Sequence, residues 1–328
     1  MDTPGVFIMS SRAGEKIAQA LQGLLARSGL SGVQVGCTEG ASGGGHIDTP
    51  RRMALRHDFG IRVVLPVDLG KAGALSLRDG VVYDLGVMSG ALGIGRGMAL
   101  LVGLDGVEPD LGSGFPGLVV DQVSLDSAGD LEKQLAPYAR LLAGRILELE
   151  TNAGFVMRPS TGLAVGYFKN FLTPVLEALR SRRATVTGGQ AGGDARGRAV
   201  DPASARFVVC LPDDPQRVTQ GAWALLASRL GLQQAEIGPI GQSGVLRTFG
   251  VWVDAHGSIY DAPATLATAA DIVRRLVVEE ADRLPAQSVA LHNFGRTLRL
   301  LLREGEHAWM QGRIDIVPWS DLEKRAGG

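Results

Sequence analysis

The sequence predicts an α/β protein of two domains, a doubly wound parallel sheet in the first half and an α+β domain in the second. Three observations carry this. At 328 residues the chain is long enough for two domains that each bury a core. Residues 5–120 alternate short β-branched runs with apolar stripes of helical period. Beyond about residue 150 that alternation gives way to long helices around one hairpin.

The first strand is VFIM at 6–9, followed by a helix with Ile17, Ala20, Leu21, Leu24 and Leu25 on one face, and then VQVG at 33–36. This is a βαβ unit. The runs Ile61–Val67 and Met98–Val102 are nearly continuous in apolar residues, as parallel strands covered on both faces require. Residues 128–150 form a helix interrupted by Pro137, which reads as a connector between the domains. The expected boundaries are 1–125, a helical connector over 126–153, and 154–328.

In the second half a long helix is expected over 161–183, then a polar Gly/Arg-rich loop at 187–204, then the strand FVVCLP. VLRTFGVWVDAHGSIYDA at 245–262 reads as two strands joined by Asp254, Ala255, His256 and Gly257, the glycine supplying the positive φ. Helices near 264–283 and 286–303 and a short strand RIDIVP complete the domain.

Composition narrows the function. Apolar residues make up 45% and charged ones 20%, the balance of a globular protein. A formal net charge of −1 provides no overall field for duplex nucleic acid or an anionic membrane, so an anionic ligand must meet locally placed cations. Cys37 and Cys210 lie far apart without metal or redox spacing, and they are expected to be reduced thiols in a cytoplasmic protein. No leader and no membrane span is expected. TEGASGGGHIDTP at 38–50 lacks the order of a phosphate loop and reads as a flexible loop beside a pocket. His46 and His57 have no ligand spacing, so a solvent-facing or hydrogen-bonded role is expected and no metal site.

GVFIMSSRAGEKIAQALQGLL at 5–25 and RDGVVYDLGVMSGALG at 78–93, in this order, resemble the TIR-like domains of bacterial defence proteins. The resemblance covers residues 5–122 and implies a flavodoxin-like fold that cleaves NAD at the nicotinamide–ribose bond. It places the motif's acid on Asp84, where the family has glutamate, and has Gly80 in place of an asparagine. Bond cleavage builds positive charge on the ribose, which a neighbouring carboxylate stabilises. Ser10 and Ser11, at a strand's carboxyl end, are positioned to hydrogen-bond ribose or phosphate, with Arg78 supporting the site or capping a loop. Without the motif, Asp84 reads as an acid near a helix N-terminus.

GLAVGYFKNFLTPVLEAL at 162–179, with LRTFGVWV and YDAPATL downstream, resembles the cyclic-dinucleotide-binding domain of STING in its bacterial form fused to TIR. This resemblance runs over 155–320. It implies that Tyr167 and Phe171, at i and i+4 on one helix face, present rings to a nucleobase, a contact worth about 1–3 kcal/mol per base. Phe168 and Leu172 are expected to point into core or a dimer seam, and Asn170 to line the pocket. On spacing alone, ordinary core packing accounts for these rings. Arg247 of the hairpin is implied to meet the ligand phosphates, with Phe249 on the same strand face. Asp261 is implied to accept from guanine and Thr265 to fix the ligand, while Ala264 replaces a threonine; alternatively Asp261 is a helix cap and Arg247 a surface ion pair.

These implications combine into one expectation. Cyclic di-GMP, two-fold symmetric, binds on the axis of a homodimer and drives further oligomerisation, as in a filament, so that the TIR domains cleave NAD in antiphage (CBASS) defence. NAD is substrate, cyclic di-GMP is activator, and no cofactor is implied. The alternative is a non-enzymatic cyclic di-GMP receptor whose TIR domain serves assembly or partner recruitment.

Overall fold

The computed structural model describes residues 4–30, 32–37, 45–70, 77–93, 95–104, 115, 118–126, 128–152, 158–181, 185–188, 206–238, 248–277, 279–303, 309–310 and 312–326. The chain divides into two compact units, Met1–Met157 and Arg158–Gly328.

In the first unit β1 (Gly5–Ser10), β2 (Gly32–Cys37), β3 (Phe59–Val64), β4 (Gly97–Val102) and β5 (Val119–Val123) form one parallel sheet in the order β2-β1-β3-β4-β5. Strand order reverses between β1 and β3, which opens a crevice at their carboxyl ends. Side chains alternate across β1: Val6 and Ile8 join the core under α1 (Glu15–Arg27) and α4 (Leu131–Asn152), whereas Phe7 and Met9 face α2 (Gly45–Arg56) and α3 (Asp79–Leu92). The doubly wound sheet read from the apolar runs is therefore present.

Two sequence expectations change here. The segment assigned to a connector is α4, which packs along α1 with Leu135, Leu142 and Ile146 fully buried. It belongs to the first unit because its apolar stripe has a sheet face to cover. Pro137 does not interrupt it; the proline removes one hydrogen bond to the carbonyl of Lys133, whose side chain is exposed. The Gly-rich loop expected through residue 50 also ends early, since α2 begins at Gly45 and carries Pro50 inside it. His57 is buried, its Nδ1 2.8 Å from the carbonyl of Met53, the hydrogen-bonded alternative of the two foreseen. The side chain of His46 lies outside the described residues.

Gly60 is required by close approach. A Cβ there would lie 2.6 Å from Cζ of Phe7 and 2.8 Å from Cε of Met88, both fully buried. Gly60→Ala is therefore expected to destabilise the first unit by about 1–3 kcal/mol, read as a lower denaturation midpoint. An unchanged midpoint would show that this seam is looser than the contacts require.

The second unit carries a mixed sheet in the order β11-β7-β10-β9-β8-β6, built from β6 (Thr185–Gly188), β7 (Phe207–Leu211), β8 (Gln233–Gly238), β9 (Thr248–Val253), β10 (Ile259–Pro263) and β11 (Ile314–Pro318). β11, β7 and β10 are mutually parallel, and the remaining pairings are antiparallel. One face is covered by α5 (Pro159–Tyr167), a π-helical turn at Phe168–Leu172, α6 (Thr173–Arg180), α8 (Thr265–Leu276) and α9 (Glu280–Arg303). The other is covered by α7 (Gln220–Arg229) and α10 (Trp319–Ala326), with Trp223 and Trp319 stacked at 5.9 Å between centroids. β7 feeds both cores, Phe207 and Val209 to the first and Val208 and Cys210 to the second.

The hairpin is as read. β9 and β10 pair antiparallel, Gly257 sits at φ 86°, and Asp254 Oδ1 accepts from the amides of His256 and Ser258 at 2.8 Å each. The long helix runs Pro159–Arg180 with the π turn inside it, and the following break falls before Glu280, not at Pro285, which lies within α9. Among the described residues no helix is long and apolar enough to cross a membrane.

Candidate functional site

In the first unit, Ser10 ends β1 and Ser11 opens the turn leading to α1, both fully or almost fully buried at the crevice between β1 and β3. Asp84 lies inside α3 and is 1% exposed, so it is not a first-turn acid facing solvent. Its partner is a residue that the sequence reading did not select. Arg62, 2% exposed in the middle of β3, places Nε 3.0 Å from Asp84 Oδ2, an ion-pair contact whose angle is not that of a hydrogen bond. The same guanidinium donates to the carbonyls of Val63 at 2.7 Å and Met9 at 3.4 Å. Its Nη2 stands 3.9 Å from Oδ1 of buried Asp68. Asp68 Oδ2 accepts from the Leu65 amide at 2.9 Å and from the Ser11 hydroxyl at 3.4 Å.

Ser11, Asp68, Arg62 and Asp84 thus form one buried polar chain across β1, β3 and α3. Arg78 stands apart: it is the N-cap residue of α3 with an exposed side chain, and only its amide joins the group, donating to the Asp68 carbonyl at 3.0 Å. A lone cation within an otherwise apolar central strand was the signal for Arg62, because such a charge needs a buried acid.

In the second unit the residues converge on Asp261. It is fully buried on β10, on the sheet face beneath α5. The Tyr167 hydroxyl donates to Oδ2 at 2.5 Å, and the Thr248 hydroxyl donates to Oδ1 while accepting from the Gly250 amide at 2.9 Å. Burial pushes the Asp261 carboxyl up to about 7, the hydrogen bonds from Thr248 and Tyr167 opposing that rise. Burial and the adjacent carboxylate push Tyr167 and the Cys210 thiol well up.

Phe171 lies 5.3 Å from Tyr167 and 6.3 Å from Phe207 between ring centroids, and both helix rings are in the core at 1% exposure or less. Phe168 and Leu172 are buried in the same cluster, so the turn sends no ring to a separate face. The π turn is the reason: its i→i+5 bonding admits an extra residue and lets adjacent large side chains share one core. Asn170 is exposed, and Phe249 is half-buried between the two cores. Thr265 is the first residue of α8, 8% exposed, with a hydroxyl that meets no hydrogen-bond partner among the described residues. Arg247 lies outside the described residues.

Residues 159–299, which contain the Asp261-centred helix and hairpin pair, match the family model described as the prokaryotic STING domain.

Over most of its length the chain is similar to CD-NTase-associated protein 12 of Sphingobacterium faecium, 23% identical over 282 residues that cover 79% of this chain and 82% of that protein. Among solved structures, a bacterial STING in complex with c-di-GMP matches at 19% identity and TM-score 0.35, covering 49% of this chain and 98% of the other. A TIR-STING receptor of C. gigas in complex with 2',3'-cGAMP matches at 13% identity and TM-score 0.31, covering 98% of this chain and 93% of the other. Neither supplies geometry for the sites described above.

Proposed function

We propose that the chain is a cyclic-dinucleotide receptor, with cyclic di-GMP as ligand, that controls NAD cleavage by its first unit, a flavodoxin-like TIR domain acting in CBASS defence. The observation that carries this reading is the prokaryotic STING match over 159–299, which spans every residue assigned to the ligand: Tyr167, Asn170, Phe171, Arg247, Phe249, Asp261 and Thr265. An ionised Asp261 accepts the N1 and N2 donors of guanine once it exchanges Tyr167 and Thr248 for the base. The rings of Tyr167 and Phe171 become stacking faces when the helix and hairpin part. A symmetric ligand then engages one such set from each of two copies.

The 2-1-3-4-5 strand order supports the first half of the reading, because such sheets bind ligands at the carboxyl ends flanking the switch point, where Ser10 and Ser11 stand. In the proposed reaction the bond between ribose C1′ and the nicotinamide nitrogen breaks, its electron pair leaving with nicotinamide. Water adds to C1′ and loses a proton, while the Asp84 carboxylate stabilises the cationic sugar. Ligand-driven assembly has to bring Asp84 away from Arg62 for this to proceed, and it does so only if the ligand binds the assembled state more tightly.

Isothermal titration with several cyclic dinucleotides, paired with a nicotinamide-release assay, tests both halves. Tightest binding of cyclic di-GMP and nicotinamide release only in its presence are the expected results. Binding without any nicotinamide release would remove the enzymatic half and leave the second reading, a non-enzymatic receptor. That reading is favoured by one observation, the engagement of Asp84 with a buried arginine. Asp84→Glu separates the two, since a silent parent and a ligand-dependent variant would identify a TIR domain that has lost turnover.

A further inference from the structure

A second cleft lies in the same unit on the opposite sheet face, under α10. Its volume is about 430 Å³. Its floor is set by strand register. Asp315 of β11 and Tyr260 of β10 both pair with Val208 of β7, so the three form a row across the sheet, and Val317 stands two residues further along β11 on the same face. Arg206, two residues before Val208, therefore shares that face at one end. α10 starts immediately after β11 and returns across the sheet, which brings Arg325, near its C-terminus, over the row from above.

The two cations differ in their engagement. Arg206 is held 3.0 Å from Asp315, with the arginine 60% exposed. Arg325 has neither a carboxylate nor a hydrogen-bond partner among the described residues, although its charge acts on the Tyr260 hydroxyl and on the Cys210 thiol, lowering both against their burial. The cleft thus combines an aromatic side chain, an aliphatic floor and two exposed guanidiniums, of which Arg206 is paired with Asp315 and Arg325 has no carboxylate partner among the described residues. Such a set matches a planar ring that carries an anionic group, because guanidinium forks suit phosphate oxygens and the floor suits a base.

We propose that this cleft binds a phosphorylated aromatic small molecule of mononucleotide size, its ring over Val208, Tyr260 and Val317 and its phosphate between Arg206 and Arg325. The site is distinct from the Asp261 network, which lies on the other face of the sheet. It stands or falls independently of the reading above.

Isothermal titration of the full chain with AMP, adenosine and inorganic phosphate provides the test. AMP is expected to bind more tightly than either fragment, and Arg325→Ala and Arg206→Ala are each expected to weaken it by about tenfold or more. Both side chains are exposed, so the melting temperature should stay unchanged and a loss of binding reads as loss of contact. AMP binding should persist with saturating cyclic di-GMP present. No AMP binding at millimolar concentration, an affinity equal to that of adenosine or of phosphate, parental affinity in both arginine variants, or displacement by cyclic di-GMP would each overturn the proposal.

Discussion

Replacing Arg62 with methionine should destabilise the first unit by about 3–5 kcal/mol, enough to unfold it near physiological temperature. The reason is the asymmetry of a buried pair. Asp84 and Asp68 are 1% and 2% exposed, and Arg62 lies 3.0 Å and 3.9 Å from them, so its removal leaves carboxylates in the interior with no route to water. The double variant Arg62→Met with Asp84→Leu should regain part of that loss, because it replaces one pair by apolar volume and leaves only Asp68, which keeps the Leu65 amide and the Ser11 hydroxyl as donors. Denaturant titration of parent, single and double variants measures this. A single-variant loss below about 1 kcal/mol, the scale of an exposed ion pair, would mean that the cluster is open to solvent. The same result would mean that Asp84 is accessible without assembly.

The second large effect is a pH dependence centred on Asp261. Its carboxyl titrates at about 7 in the folded unit and at an ordinary 3.8 when unfolded, the difference arising from burial. Between these values the folded state holds the extra proton, so stability is full below about pH 4, declines as pH rises, and levels off above about pH 7. The loss across that window reaches roughly 4 kcal/mol at most. Asp261→Asn keeps the shape, removes the titration, and should give a second unit whose melting temperature is flat over that range. Parent and variant falling in parallel would place the titration on another group. If guanine meets Asp261 as proposed, ligand binding should follow the opposite course, because its N1 and N2 donors need the ionised form: affinity for cyclic di-GMP is expected to rise toward pH 8 as the apo protein weakens.

The parts of this protein that sequence discloses are those where one interaction dominates. β1, β3 and β4 are nearly continuous apolar runs because helices cover both faces, and the Asp254–Gly257 turn is legible because glycine readily accepts the φ of 86° at position 257. β8 leaves little mark in the sequence because Gln233, Gln234 and Glu236 are exposed and only Ala235 and Ile237 meet the core, an apolar signal of two residues. α7 escaped notice as well, with apolar residues on more than one face. The apolar stripe of α4 predicts a helix but does not say which neighbour covers it, here α1 and the sheet. The site residues divide in the same way. Motif resemblance singles out Tyr167, Asp261 and Thr265, but residue identities alone do not show that Tyr167 and Asp261 are hydrogen-bonded to each other. Arg62 needed only the observation of a charge amid Ile61, Val63 and Val64. The π turn at Phe168–Leu172 leaves no mark in the periodicity, since a shift of hydrogen-bond partner changes no residue type.

The bond from the Tyr167 hydroxyl to Asp261 fastens the helix to the second strand of the hairpin. A visitor that claims this acid has to evict an internal rival already in place, and it starts with a debt equal to that bond. On the proposed reading, a fragment with a single donor does not displace the phenol, and this acid is reserved for a guest that offers several donors and rings together.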